Sequence, residues 1–229
     1  MKQTLKKIYN KYFKKKRKKK ALTEKEKRHS LVGPPKLWKM KQQFQIDFLK
    51  QNGMQKHHKF LDVGCGTLRG GIPIIEFLNE ENYYGIDVRS EAINEGKNEL
   101  RQEQLEHKNP NLILFEDFKA LKIDVKFDMI FAFSVLIHLK DDIAKDCFSF
   151  ISEHLDSKGS FYANVNCIEN EDGQWQGFPV VFRSIDFYKE LAQNVNLGLE
   201  VIGQLKDLGH VSNKELGDQQ FMLRFYRLN

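Results

Sequence analysis

Phe60-Leu61-Asp62-Val63-Gly64-Cys65-Gly66-Thr67-Leu68-Arg69-Gly70-Gly71 is the stretch that decides the fold. Its first four residues are a short apolar run interrupted by one carboxylate, its middle is a glycine-rich turn, and Ile72 to Leu78 continue at helical spacing. Strand, tight turn and helix in that order open a parallel sheet whose ligand sits at the carboxyl ends of the strands. Gly64 and Gly66 suit a turn whose backbone comes close to a ligand. A dinucleotide fingerprint would place a third glycine at position 69, where Arg69 stands instead. Asp62, at the strand end, attracts a cationic ammonium and repels a pyrophosphate. The loop therefore favours an amino-acid-bearing cofactor over NAD.

Working outward, the pattern predicts strands over Tyr83 to Val88, Leu112 to Phe115, Phe127 to Phe133, Gly159 to Asn166, Leu199 to Leu205 and Phe221 to Arg227. Helices are expected over Ala92 to Leu105, Ile143 to Leu155 and Ser184 to Asn194, so strand and helix alternate as in a sheet covered on both faces. The last two strands lack a helix between them and should pair antiparallel. Upstream, Gly33-Pro34-Pro35 interrupts the chain, and Leu37 to Asn52-Gly53 reads as an amphipathic helix. The expected organisation is an arm over 1–29, a helical cap over 30–58 and a nucleotide-binding α/β domain over 59–229.

The 229 residues carry a formal net charge of +6, which hides an asymmetry. Residues 1–29 balance at +12 and the remaining 200 at −6, so only the arm is basic. In it Met1, Leu5, Ile8, Tyr9, Tyr12 and Phe13 share one helical face, and Lys14 to Lys20 form an unbroken basic run. That pattern fits a helix lying on an anionic membrane surface through residues 1–20. A solvated charge run, a partner-docking helix and a nucleic-acid contact are the other uses of the same pattern. No apolar run approaches the roughly 18 residues of a bilayer span, and no secretory h-region follows the basic start. Cys65, Cys147 and Cys167 have no metal-ligand spacing, which suggests free thiols, no metal and a cytoplasmic setting, peripheral to the inner membrane face if the arm binds there.

Three acidic residues fall in the loops that a sheet of this kind uses. Asp87 ends Tyr83-Tyr84-Gly85-Ile86-Asp87-Val88, where a carboxylate accepts hydrogen bonds from ribose hydroxyls. In the next loop, Asp117 could accept an adenine amino proton beside the Phe118 ring. An aspartate after a strand also serves as a helix cap or turn residue.

These residues resemble the class I S-adenosylmethionine-dependent methyltransferases: Asp62-Val63-Gly64-Cys65-Gly66, then Gly85-Ile86-Asp87, Glu116-Asp117, Phe127-Asp128-Met129-Ile130 and Ser134-Val135-Leu136-Ile137-His138-Leu139. The resemblance spans about residues 59–227. It implies a Rossmann-like seven-stranded sheet, mostly parallel with an antiparallel last strand. S-adenosylmethionine would be held by Asp62, Gly64, Cys65, Gly66, Asp87, Val88, Asp117, Phe118 and Ser134. Leu68-Arg69-Gly70-Gly71, with Val32-Gly33-Pro34-Pro35 and Leu37-Trp38, is similar to a bacterial subgroup associated with surface polysaccharides.

A sulfonium methyl needs an aligned nucleophile and the exclusion of water, plus a base if the acceptor is a hydroxyl. His138, one short turn past the fourth strand, is the candidate base; a packing or helix-start role is the alternative. Asn164, Asn166, Glu169, Trp175 and Arg69 are the expected substrate contacts, with a surface or capping role equally open to Arg69. The leading expectation is O-methylation of a glycan or glycolipid precursor at the inner membrane face. The alternatives are an RNA methyltransferase and a noncatalytic cofactor-binding module. Against the RNA reading, the loop after the fourth strand is Phe133-Ser134-Val135-Leu136, without the Asn/Asp-Pro-Pro-aromatic pattern of enzymes that methylate base amines.

Overall fold

The computed structural model describes residues 21–228, so the apolar stripe and lysine run read from residues 1–20 lie outside the described residues. In chain order the helices are α1 (Glu24–Ser30), α2 (Trp38–Gln51), α3 (Gly71–Phe77), α4 (Ser90–Gln102), α5 (Asp141–His154), α6 (Ile185–Gln193) and α7 (Glu215–Asp218). The strands are β1 (Phe60–Val63), β2 (Tyr83–Asp87), β3 (Asn111–Leu114), β4 (Phe127–Ala132), β5 (Leu155–Val165), β6 (Gly173–Trp175), β7 (Phe178–Val180), β8 (Leu197–Gln204) and β9 (Phe221–Arg227). Seven of them form one sheet in the order β3-β2-β1-β4-β5-β9-β8, and β6 pairs with β7 as a separate ribbon. Strands β1 to β5 run parallel, whereas β9 runs antiparallel to both β5 and β8.

All four residues of β1 are buried, which a central strand between two covered faces requires. On one face α2, α3 and α4 pack through Phe44, Leu49, Ile74, Ile75 and Ile93. On the other, α5 and α6 bring Phe148, Ile151, Tyr188 and Leu191 against Phe161 and Phe225. The order reverses at β1, with β2 on one side and β4 on the other. Ligand crevices open at such a switch point.

Two differences from the sequence pattern affect the site. Residues 173–180 form a hairpin whose turn residues Gln176 and Gly177 both have positive φ, 50° and 85°, a two-residue turn that matches strand twist. Its arms are three residues long, too short to show alternation. The charge boundary at His29 falls inside α1. Thr23 and Glu26 close a capping box at the start of this helix. Its far end packs onto α4, where Arg28 Nε lies 3.1 Å from Glu99 Oε1, and onto α2, where His29 stacks on Trp38 at 3.4 Å between ring centroids.

Candidate functional site

The switch point puts the glycine loop, the end of β2 and the loop after β4 around one crevice. Gly64 and Gly66 have φ of 69° and 56°, which glycine adopts without strain. A Cβ at Gly64 would meet Val135 Cγ2 at 2.5 Å, and one at Gly66 would meet Val32 Cγ1 at 2.7 Å. The bare glycines thus admit two flanking segments, the loop after β4 and a strap over 31–33, against the loop.

Asp62 is buried and accepts the Tyr83 hydroxyl at 2.6 Å. Burial, aided by the nearby Asp87 charge, pushes its carboxyl up to about 7, against the pull of Tyr83 and Arg69. A buried carboxylate without a full counter-charge is poised for a cation. Thr67, in the same loop, is fully buried with Oγ1 lacking a partner. Buried hydroxyls are rarely left without a partner. Cys65 is buried with Sγ packed beneath Gly85, so it offers the crevice backbone rather than thiol.

Asp87 Oδ2 accepts from Gly66 N at 2.9 Å, and Oδ1 accepts from Arg89 N at 2.9 Å and Arg89 Nε at 3.2 Å. Its carboxylate thereby fixes the glycine loop and stays at the crevice. Val88, next to it, is 50% exposed, an apolar face held open to solvent. Arg89 was not foreseen. Its guanidinium also donates to Leu31 O at 3.0 Å and lies 5.4 Å from the Phe178 ring centroid.

Ser134 has φ of 62°, an uncommon conformation for a side-chain-bearing residue, and is held by its N–H donating to Asn164 Oδ1 at 2.6 Å. The turn Leu136–His138 follows, and places His138 against Pro179 of the hairpin. Pro179 O lies 2.6 Å from His138 Nδ1. A carbonyl only accepts, so Nδ1 carries the proton and Nε2 presents a lone pair. Burial, with Arg89 nearby, outweighs the Pro179 bond and lowers the imidazole pKa, keeping it neutral. Trp175 lies nearly parallel to His138, 5.9 Å away, and is 38% exposed. Asp141 and Asp172, both bonded by Arg183, brace the hairpin.

Two expectations are corrected. Asn164 and Asn166 are not open substrate contacts: both are buried, and their amides form a chain from Ser134 N through Asn164, Gln220 and Asn166 to Val181 O. Their polar groups build the loop instead. Phe118 packs in the core between Phe115 and Phe150 and is not a face beside a base. Asp117 stands exposed, with Oδ1 accepting Ala120 N at 2.8 Å. Arg69 is half-buried, with Nη1 donating to Val32 O at 2.6 Å and Nε left without a partner. Glu169 is exposed.

Residues 61–161 match the family model of a methyltransferase domain. The fold is similar to that of an S-adenosylmethionine-dependent methyltransferase from Clostridium acetobutylicum ATCC 824, with a TM-score of 0.63 and 16% identity over 99% of each chain. It is similar to the magnesium protoporphyrin IX methyltransferase from Synechocystis PCC 6803 with bound SAH, at a TM-score of 0.64 and 15% identity over 82% of this chain and 84% of that one. A glycopeptide N-methyltransferase, MtfA, matches at 0.62 with 12% identity over 82% of this chain and 90% of that one. What these chains share with this one is the fold. No described helix is long and apolar enough to cross a membrane.

Proposed function

We infer that this chain is an S-adenosylmethionine-dependent methyltransferase that transfers the methyl group to a hydroxyl of a glycan or glycolipid precursor. The observation that carries the acceptor class is the pairing of His138 with Trp175: a base-competent imidazole nitrogen beside an open indole face. Indole faces suit the apolar side of a sugar ring.

The residues present fit the cofactor. Asp62 would take its ammonium, the Gly64 to Gly66 backbone and the orphan Thr67 hydroxyl would line its amino-acid part, Asp87 its ribose hydroxyls, and Val88 its base. When bound, S-adenosylmethionine supplies a methyl group already activated by sulfonium charge. His138 Nε2 takes the acceptor proton, and the Pro179 carbonyl steadies the resulting imidazolium at Nδ1. Trp175 and Phe178 exclude water above it. The apolar stripe and lysine run of residues 1–20 would bring the enzyme to a membrane-bound acceptor on the cytoplasmic side.

The test incubates the protein with radiolabelled S-adenosylmethionine and separates lipid-linked glycan, RNA and protein fractions. Label in the lipid-linked glycan supports the reading. Label in RNA overturns it.

A further inference from the structure

Lys41, Arg69 and His210 are basic side chains that the mechanism above does not use. Lys41, on α2, is half-buried, and its Nζ stands 5.8 Å from the Phe133 ring centroid. Among the described residues its ammonium has no hydrogen bond or ion pair. Arg69 Nε is buried without a partner, although Nη1 donates to Val32 O. His210 is 1% exposed, edge-on to Phe44 at 5.1 Å, and its Nε2 also has no partner. Asp218 Oδ1 lies 3.0 Å from His210 Nδ1 and accepts Ser212 N at 2.8 Å and Ser212 Oγ at 2.7 Å.

These groups are electrostatically unfinished. Burial and the Arg69 charge push Lys41 down to about 7, with Asp218 only partly opposing. Burial and Lys41 push His210 down to about 4. Burial and the Asp62 charge act in opposite senses on Arg69, which ends at about 10. Asp218, whose charge opposes both shifts, is committed to His210 Nδ1 and Ser212. Buried nitrogens without partners are completed by an acceptor, and an anion beside Arg69 would draw protons onto Lys41 and His210.

Resting on the methyltransferase reading, we propose that Lys41, Arg69 and His210 form a binding site for an anionic group of the methyl acceptor, a carboxylate or a phosphate. Lys41 and His210 lie against the same Phe133 ring, and Arg69 closes the glycine loop that Asp62 precedes. Phe133, which touches both Lys41 and His210, starts the loop that ends at His138. An acceptor laid along that loop presents its anion at one end and its hydroxyl at the other. On binding, Lys41 and His210 each take up a proton, His210 donates through Nε2, and Asp218 supports the imidazolium from behind.

The experiment saturates the full chain with S-adenosylhomocysteine and titrates sulfate and, separately, acetate by calorimetry in buffers of different ionisation enthalpy. Saturable sulfate or acetate binding with proton uptake at pH 7.5, weakened at least tenfold in both Lys41→Met and His210→Gln, is expected. Tighter sulfate marks a phosphate acceptor and tighter acetate a carboxylate. Should His210→Gln not fold, Lys41→Met alone carries the comparison. Anions that displace S-adenosylhomocysteine would assign the cluster to the cofactor's own carboxylate and overturn the proposal. Binding of S-adenosylhomocysteine without anion binding also overturns it, leaving the methyltransferase reading intact, whereas failure of S-adenosylhomocysteine itself to bind removes that reading.

Discussion

Arg89 reaches Asp87 with Nε at 3.2 Å and Leu31 O with Nη1 at 3.0 Å, so one guanidinium ties the carboxylate expected at the ribose to the strap that covers the glycine loop. The strap is anchored a second time by Arg69, through Val32 O. Cofactor residence and strap position should therefore be linked. Arg89→Ala is expected to raise the dissociation rate of S-adenosylhomocysteine at least fivefold in stopped-flow fluorescence and to speed proteolysis near residues 31–35. Unchanged rates in both would uncouple the two.

His138 should act on turnover. His138→Ala is expected to lower kcat roughly 100-fold, the range of a lost general base, with cofactor affinity within twofold. Because burial holds the imidazole pKa below its usual value, the wild-type rate should rise with pH through a value below 6.5 and then level off. A melting temperature that drops while kcat holds would make the residue structural.

Asp62 sets a trade between stability and binding. Its folded carboxyl sits at about 7, above the unfolded value, so the folded chain keeps a proton that the unfolded chain releases. Its contribution to stability is greatest below the unfolded pKa and declines as pH rises towards 7. Asp62→Asn keeps an acceptor for Tyr83 and removes that decline. The variant should melt several degrees above wild type at pH 8 and near it at pH 4, while binding S-adenosylmethionine at least tenfold more weakly. Equal melting at both pH values would show that Asp62 is not raised.

The amide chain should be sensitive to one cut. Gln220→Leu strands Asn164 Nδ2 and Asn166 Oδ1, both buried, at a cost of about 1–3 kcal/mol. That corresponds to a fall of roughly 2–4 °C in Tm per kcal/mol. Urea and thermal melts read it directly, and a Tm within one degree of wild type would mean that water replaces the amide.

Much of this was legible in the chain itself. The β1 run, the two glycines and Asp87 after β2 set the sheet and its switch point because each acts within a few residues of its neighbours. The missing third glycine at Arg69 pointed away from a dinucleotide. Contacts between distant residues were not legible: Asn164 meets Gln220 across 56 residues, and Arg89 meets Leu31 across 58. Phe118 shows a second limit. An aromatic beside an aspartate looks the same whether it faces a base or the core, and Phe115 and Phe150 decide for the core. His210 lay in a connection with no periodic pattern, and only the fold brings Lys41 and Asp218 to it.

The position of β9 between β5 and β8 has a bearing on synthesis. β5 is complete at Val165, yet its outer neighbour begins at Phe221, and β8 can join the sheet only through that neighbour. A ribosome adding about 5–20 residues per second would leave this flank of β5 unpaired for roughly 3–11 seconds. During that interval Phe161 and Ala163 present an open, apolar strand edge, the kind of surface that recruits other nascent chains. Slower translation across residues 166–220 should lengthen that exposure and shift newly made chains towards aggregates or chaperone complexes.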